Sequence, residues 1–383
     1  MINFQECQIC LFTNENESIK FNEDGVCTIC TNIAILKKQF TPNLDKGSPA
    51  FSSLISKIKS KGNKNKYDCL IGVSGGTDSS YLLHLAKSNG LRPLAFHYDN
   101  TWNSAVATMN IEKMLSALEI DLVTFVMPNK EADDIFKSAF LAGIPELDSS
   151  TDLAYAYLLR RVARQNQIKY ILEGHSFIEE GITPLGRNYF DGRYIKHIHD
   201  TYGSITMKSY PLMTLRAFLF ETIFGRVKFI RPLWFIRYEK ESAKKLLNER
   251  YDWVDYGGHH LENRLTTYLH SEYLPRKFKL DLRINVLSAQ IRSNKLSKQQ
   301  ARELLKFKPY GAEEAKIYFQ KRLNITKYKY EEIMNAQPNY WTQFKSYRNF
   351  FVLLRPLFFI MLRYDLITRS FYLKYCFRGS KSW

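Results

Sequence analysis

The sequence predicts an α/β protein built around a doubly wound parallel sheet. Two observations carry this. Short, mostly apolar runs at 69–73, 93–98, 121–126 and 169–173 have the length and composition of strands buried on both faces. Segments of helical character lie between them, at about 79–88, 110–118 and 152–165. Strand and helix in alternation call for right-handed crossovers, which lay helices on both faces of a parallel sheet. The first strand and its helix are joined by Ser74-Gly75-Gly76-Thr77-Asp78-Ser79. That helix is closed by Asn89-Gly90, a C-cap signal.

At 383 residues the chain has room for two or three domains, and its 45% hydrophobic content excludes global disorder. A net charge of +17 favours an anionic partner: a nucleotide, a nucleic acid, a phosphorylated substrate or an acidic membrane surface. The first residues lack the basic start and apolar core of a signal peptide. No apolar run approaches the roughly 20 residues of a spanning helix. A cytoplasmic location is therefore expected.

Composition divides the chain into four stretches. Residues 1–40 carry two cysteine pairs, residues 41–240 the α/β domain, and residues 241–335 a charged helical region with amphipathic signals at 241–249, 297–306 and 312–322. Residues 336–383 are aromatic and basic, with little acid. This tail suits the interface of an anionic membrane, or equally a helix packed on the protein's own core or on a partner.

The glycine-rich loop is the strongest functional signal. Successive glycines let backbone N–H groups approach an anion without a Cβ in the way, and the helix start adds its dipole and free N–H groups. Ser74 and Ser79 can donate to phosphate. Asp78 fits a role through Mg²⁺ or as an orienting group, because a carboxylate repels phosphate. The lysine of a Walker A loop is absent, so γ-phosphoryl transfer is not indicated.

The cysteine pattern is the second signal. Cys7 and Cys10, then Cys27 and Cys30, form two Cys-x-x-Cys pairs separated by a turn, within the spacing of a four-thiolate zinc site. A closed four-sulfur shell is structural rather than catalytic. Cys69 lies inside the first strand and Cys376 seven residues from the end, so neither has the setting of a glutaminase nucleophile.

The Ser-Gly-Gly-x-Asp-Ser core resembles the PP-loop of the ATP-pyrophosphatase superfamily, whose adenine nucleotide alpha-hydrolase-like members cleave ATP between its α and β phosphates. The resemblance implies that Ser74, Gly75, Gly76, Thr77, Asp78 and Ser79 cradle ATP, with Ser74 and Asp78 catalytic. It also implies that Asp99, after the second strand, meets adenine or ribose. Gly174, His175 and Glu179, after the fourth, would approach the phosphates and Mg²⁺, His175 and Glu179 as catalytic groups.

Several blocks together resemble one branch of that superfamily, the N-acetyl sugar amidotransferases. They are the cysteine pairs with Glu23 to Cys27, Trp102 to Ser104, Asn110 to Glu112, Ile198-His199, 255–263 and 274–283. The match covers roughly residues 5–310. It departs from the family's pattern at Met127 to Glu131, where an acidic stretch is expected. The resemblance implies adenylation of the acetamido oxygen of a nucleotide-linked sugar, then displacement of AMP by ammonia to leave an acetamidino group. Ammonia would come from a separate glutaminase, with a cyclase-like subunit. Substrate contacts are expected from His259, His260, Glu262, Lys277, Arg283 and Arg292. The rival reading is a PP-loop enzyme of tRNA modification, a thiolase or lysidine-type ligase. The basic charge suits it, but no second cysteine pair near the loop is present to carry sulfur. No nucleic-acid partner is expected.

Overall fold

The computed structural model describes residues 4–16, 18–40, 48–184, 188–257, 262–309 and 311–377. Five strands, β1 (Cys69–Gly72), β2 (Pro93–Asp99), β3 (Leu122–Val126), β4 (Tyr170–Leu172) and β5 (Lys228–Ile230), form one parallel sheet in the order β3-β2-β1-β4-β5. Alternation along β1 feeds two cores. Leu70 points into one, with Phe96, Ile171 and the helix Ser149–Gln165; Cys69 and Ile71 point into the other, with Leu172 and the helices Thr77–Ser88 and Ala105–Leu118. The sheet is thus doubly wound as expected, with four expected strands and a fifth that the sequence conceals. β5 is three half-buried residues inside an aromatic stretch, without alternation to mark it.

The strand order places the site. The chain runs outward from β1 to β3, then returns to β4 and β5 on the other side of β1. The reversal leaves a crevice beyond the carboxyl ends of β1 and β4, where ligands of open α/β sheets bind. The loops after those two strands touch: a Cβ at Gly174 would lie 2.9 Å from the backbone carbonyl of Asp78.

Much of the helical region packs into the cores of the sheet, while Leu287, Ile291 and Ala301 form a small cluster with Leu11. Helix Lys240–Tyr251 packs on Thr77–Ser88 and buries Leu247 beside Trp253 in the second core. Further on, Leu265, Tyr268, Phe319 and Tyr330 join Phe136 and Phe140 in the first core, with Tyr268 stacked on Phe319 at 3.9 Å. The tail also packs on the chain itself: Phe351, Phe358, Met361 and Tyr375 are buried with Tyr189 and with Phe218 of helix Leu215–Gly225. Among the described residues no helix is long and apolar enough to cross a membrane.

Candidate active site and metal centre

The loop between β1 and Thr77–Ser88 is braced from three sides. Gly75 has φ +79°, a left-handed conformation that suits glycine, and a Cβ there would sit 2.2 Å from the carbonyl oxygen of Ala107. Its own carbonyl accepts hydrogen bonds from the side chains of buried Asn110 (3.3 Å) and Trp253 (3.1 Å). Gly76 faces Tyr256 and Glu262, whose Oη and Oε1 would lie 2.9 and 3.6 Å from an added Cβ. Inside the loop, Ser74 Oγ accepts from the Gly76 N–H at 3.3 Å and lies 3.4 Å from Ser79 Oγ. These contacts are long, so an arriving phosphate can take them over at little cost.

Asp78 is held by groups the sequence did not single out. Tyr238 donates its hydroxyl to Oδ1 at 2.5 Å, and Lys240 Nζ sits 2.8 Å from Oδ2. Burial works against the Lys240 ammonium, but Asp78 and Glu180 outweigh it and raise its pKa, so it stays charged. Burial, with Asp78 beside it, raises the Tyr238 phenol, which stays a donor. Of the two roles expected for Asp78, the observed partners favour orientation of the loop. No sequence pattern marks Lys240 or Tyr238, which stand 160 residues and more from Asp78 and meet it only through the fold.

The loop after β4 differs from expectation at two residues. Glu179 does not face the crevice: it is largely buried and paired with Lys295 at 2.7 Å. Its neighbour Glu180 takes that place, 3.7 Å from Lys240 and 3.9 Å from His175. His175 has both ring nitrogens engaged. Nε2 lies 3.1 Å from the Gly181 carbonyl, which only accepts, and Nδ1 lies 3.3 Å from the Trp234 indole N–H, which only donates. The ring is therefore a neutral Nε2–H tautomer. Burial, then nearby Arg231, push its pKa down to about 4. Such a histidine fixes the loop and has no nitrogen left for proton transfer.

The remaining expected residues divide. Asp99 ends β2 and accepts from the Thr101 N–H (2.7 Å) and the Asn103 amide (3.2 Å), beside an open cleft of about 580 Å³ shared with His97 and Thr108. Glu262 is at the loop, as its contact with Gly76 shows. His259 and His260 lie outside the described residues. Lys277 and Arg283 are spent on the fold. Lys277 is buried and donates to the carbonyls of Ile333 and Ala336. Arg283 directs all five N–H groups to Asp281 and to the carbonyls of Leu304, Leu305 and Phe307. Neither can clamp a pyrophosphate without abandoning those partners. Arg292 is turned to the cysteines instead.

Cys7, Cys10, Cys27 and Cys30 bring four buried sulfurs within 4.8 Å of one another. The Cys7–Cys30 and Cys10–Cys27 separations, 3.8 and 3.7 Å, match the roughly 3.8 Å edge of a tetrahedron with bonds of about 2.3 Å. The N–H groups of Ile9, Cys27 and Cys30 point at sulfur. Arg292 places Nη1 3.7 Å from Cys30 Sγ, and its buried Nε and Nη2 have no other partner among the described residues. That cation would answer the net negative charge of four thiolates around a bound metal ion. The donor set fits a closed metal site. Phe177, from the loop after β4, is buried among these cysteines, so the cysteine cluster also braces that loop.

From residue 262 onward the chain is joined to the crevice. The Ser104 N–H donates to the Glu262 carbonyl, Asn263 donates to the side chains of Asn100 and Asn103, and Arg322 grips Asp133 and lies 4.3 Å over the Trp102 ring. This segment, 262–357, matches the family model of the LPS biosynthesis protein WbpG-like C-terminal domain. An uncharacterized protein of Methanocaldococcus jannaschii is 29% identical over 176 residues, 44% of this chain and 58% of that one. This chain thus spans less than two thirds of that curated relative. In chain course the protein is similar to NMN synthetase of Francisella tularensis (14% identity, 76% of this chain and 98% of that one, TM-score 0.32). It is similar also to the NH3-dependent NAD synthetase of Campylobacter jejuni (12%, 78% and 99%, TM-score 0.35). At such scores and identities these likenesses say nothing of the chemistry. The braced loop lies at the switch point of the parallel sheet, and the segment that matches the WbpG-like model begins against it.

Proposed function

We propose that this chain is an ATP-dependent, AMP-forming amidotransferase of surface polysaccharide synthesis. It would convert the acetamido group of a nucleotide-linked N-acetyl sugar into an acetamidino group, as in LPS or O-antigen assembly. One observation carries the reading: the nucleotide-type loop and the start of the WbpG-like domain meet at Gly76 and Glu262. A loop built for pyrophosphate is thus edged by residues of a polysaccharide-synthesis domain.

In this reading the loop N–H groups and the start of helix Thr77–Ser88 receive the β and γ phosphates. The acetamido oxygen attacks the α phosphorus and pyrophosphate leaves. Ammonia then adds to the imidate carbon, and AMP departs with the oxygen. Charge gathers on pyrophosphate in the first step, where the Lys240 ammonium stands beside the loop and is pre-oriented by Asp78 and Glu180. Mg²⁺ would supply further charge neutralisation when bound with the nucleotide, and Glu180 and Glu262, beside the loop, are the carboxylates that would hold it. The four-cysteine site would hold Zn²⁺ as a structural ion.

Ammonia would be delivered by a separate glutaminase with a cyclase-like subunit. Cys69 is fully buried and burial raises its thiol; Cys376 is also buried, its pKa pushed up to about 12. Neither is placed or ionised to act as a glutaminase nucleophile. The test is mass spectrometry of a nucleotide-sugar panel after incubation with the chain, ATP, Mg²⁺ and ammonium, and separately with glutamine. The reading expects AMP and a sugar lighter by the difference between O and NH, with ammonium but not with glutamine alone. ADP as the product, or no modified sugar in a panel that includes the common N-acetyl sugars, would overturn it.

A further inference from the structure

Helix Leu215–Gly225 is inside out. Its one carboxylate, Glu221, is buried and bound by Arg164 at 2.7 and 3.1 Å, whereas Phe220, Ile223 and Phe224 face solvent, Phe224 at 66% exposure. A helix apolar all round ordinarily has protein on every side. This one has protein on one side only: Phe218 lies against Phe358 and Phe371 of the tail, with ring centroids 6.2 and 5.1 Å apart.

The tail helices repeat the arrangement. Phe358 and Met361 turn inward, while Leu353 (74% exposed), Ile360 and Tyr364 turn out. Lys228 and Asp365, 3.0 Å apart, tie the end of the tail helix Arg355–Arg363 to the strand that follows Leu215–Gly225. The outward apolar side chains therefore belong to elements packed on one another. The charges among them have one sign. Arg216, Arg226, Arg355, Arg363 and Arg369 are exposed, whereas the carboxylates of 203–230 and 340–377 are Glu221 and Asp365, each already paired.

We propose that this face, built jointly by Leu215–Gly225 and the tail helices, docks on an anionic lipid bilayer. The charge decides the occupant. Exposed arginines interleaved with Phe, Leu, Ile and Tyr suit a surface whose headgroups are acidic and whose acyl boundary is apolar. A second copy of this chain would set these arginines against one another. The attachment is interfacial and shallow, and it is independent of the reaction proposed above.

The experiment is flotation of the full chain with vesicles of phosphatidylethanolamine and phosphatidylglycerol (3:1), against phosphatidylcholine alone. Truncating the tail is the wrong variant, because it would uncover Tyr189 and Phe218 of the core. The triple change Phe224→Ser, Leu353→Ser and Ile360→Ser touches only exposed side chains, and Arg355→Gln with Arg363→Gln removes two exposed charges together with their contacts over the Phe377 and Phe359 rings. The wild type should float with the anionic vesicles and much less with the neutral ones. Each variant should lose at least tenfold in partitioning, with a melting temperature close to that of the wild type. Failure of the wild type to bind anionic vesicles at low salt would overturn the proposal. So would undiminished binding by a folded variant, or a wild-type dimer that does not float and that the triple change converts to monomer.

Discussion

Replacing Gly75 by alanine should disable nucleotide binding without unfolding the protein. The residue sits at φ +79°, where a side chain costs about 1–2 kcal/mol. The added Cβ would also lie 2.2 Å from the Ala107 carbonyl oxygen, about 1 Å short of the roughly 3.3 Å at which carbon and oxygen normally meet. The neighbour is helix backbone and cannot rotate away, so the loop must move. Moving it strains the hydrogen bonds from Asn110 and Trp253 to the Gly75 carbonyl, worth about 1 kcal/mol each. The expected loss of stability is therefore about 2–4 kcal/mol. A displacement near 1 Å in the phosphate cradle should cost on the order of 10²-fold in function. The assay is calorimetric binding of the α,β-methylene analogue of ATP with Mg²⁺, beside a thermal melt. Gly90→Ala is the control: Gly90 has the same left-handed φ (+68°), but its Cβ would meet only the mobile end of Lys59 at 3.0 Å. It should melt earlier and bind normally. Near-normal analogue binding by Gly75→Ala, or equal loss in Gly90→Ala, would refute the placement of the phosphates in this loop.

Three further outcomes are expected. Lys240→Met leaves the largely buried Asp78 carboxylate without its cation, and AMP formation should fall at least ~10²-fold, whereas Arg283→Gln should lower stability without changing the KM for the sugar. Freshly purified chain should contain one zinc; because Phe177 packs among the cysteines, its removal by a chelator, or Cys27→Ser, should weaken nucleotide binding as well as the fold, and metal-free protein with unchanged stability would contradict this. Burial raises the Glu146 carboxyl to about 7, beside Lys374, which burial lowers to about 8. The folded chain then keeps a proton that the unfolded chain releases near pH ~4.3, so this group's stabilisation is complete at acid pH and is lost as pH rises through 7. Chemical denaturation should show a decline on the order of 3 kcal/mol across that window, absent in Glu146→Gln.

How far the sequence could be read depended on whether a function sits in consecutive residues. β1, its loop and the following helix are contiguous, so the strand–loop–helix course through Ser74–Ser79 was legible, as was the gathering of the cysteine quartet. Glu179 and Glu180 are adjacent acids, and only the backbone path decides which turns to Lys240. Tyr238, Lys240, Trp253 and Tyr256 reach the loop across more than 150 residues and look like ordinary members of a charged, aromatic stretch. Lys277 and Arg283 mislead in the opposite sense: basic residues in a matching motif looked like phosphate clamps, but both hold carbonyls at helix ends. The surface proposed to dock on lipid was half visible. Aromatic and basic composition marked the tail, but its partner helix Leu215–Gly225 became apparent only when Glu221 proved to point inward.

The central claim is that AMP is attached to the acetamido oxygen. Label that oxygen with ¹⁸O in a nucleotide-linked N-acetyl sugar that the chain turns over, supply ATP, Mg²⁺ and ammonium, and analyse every phosphorus-containing product by mass spectrometry. The account predicts ¹⁸O in the phosphate of AMP, one label per amidine formed, and none in pyrophosphate. Label in pyrophosphate or orthophosphate, or its release to water with unlabelled AMP, would contradict it.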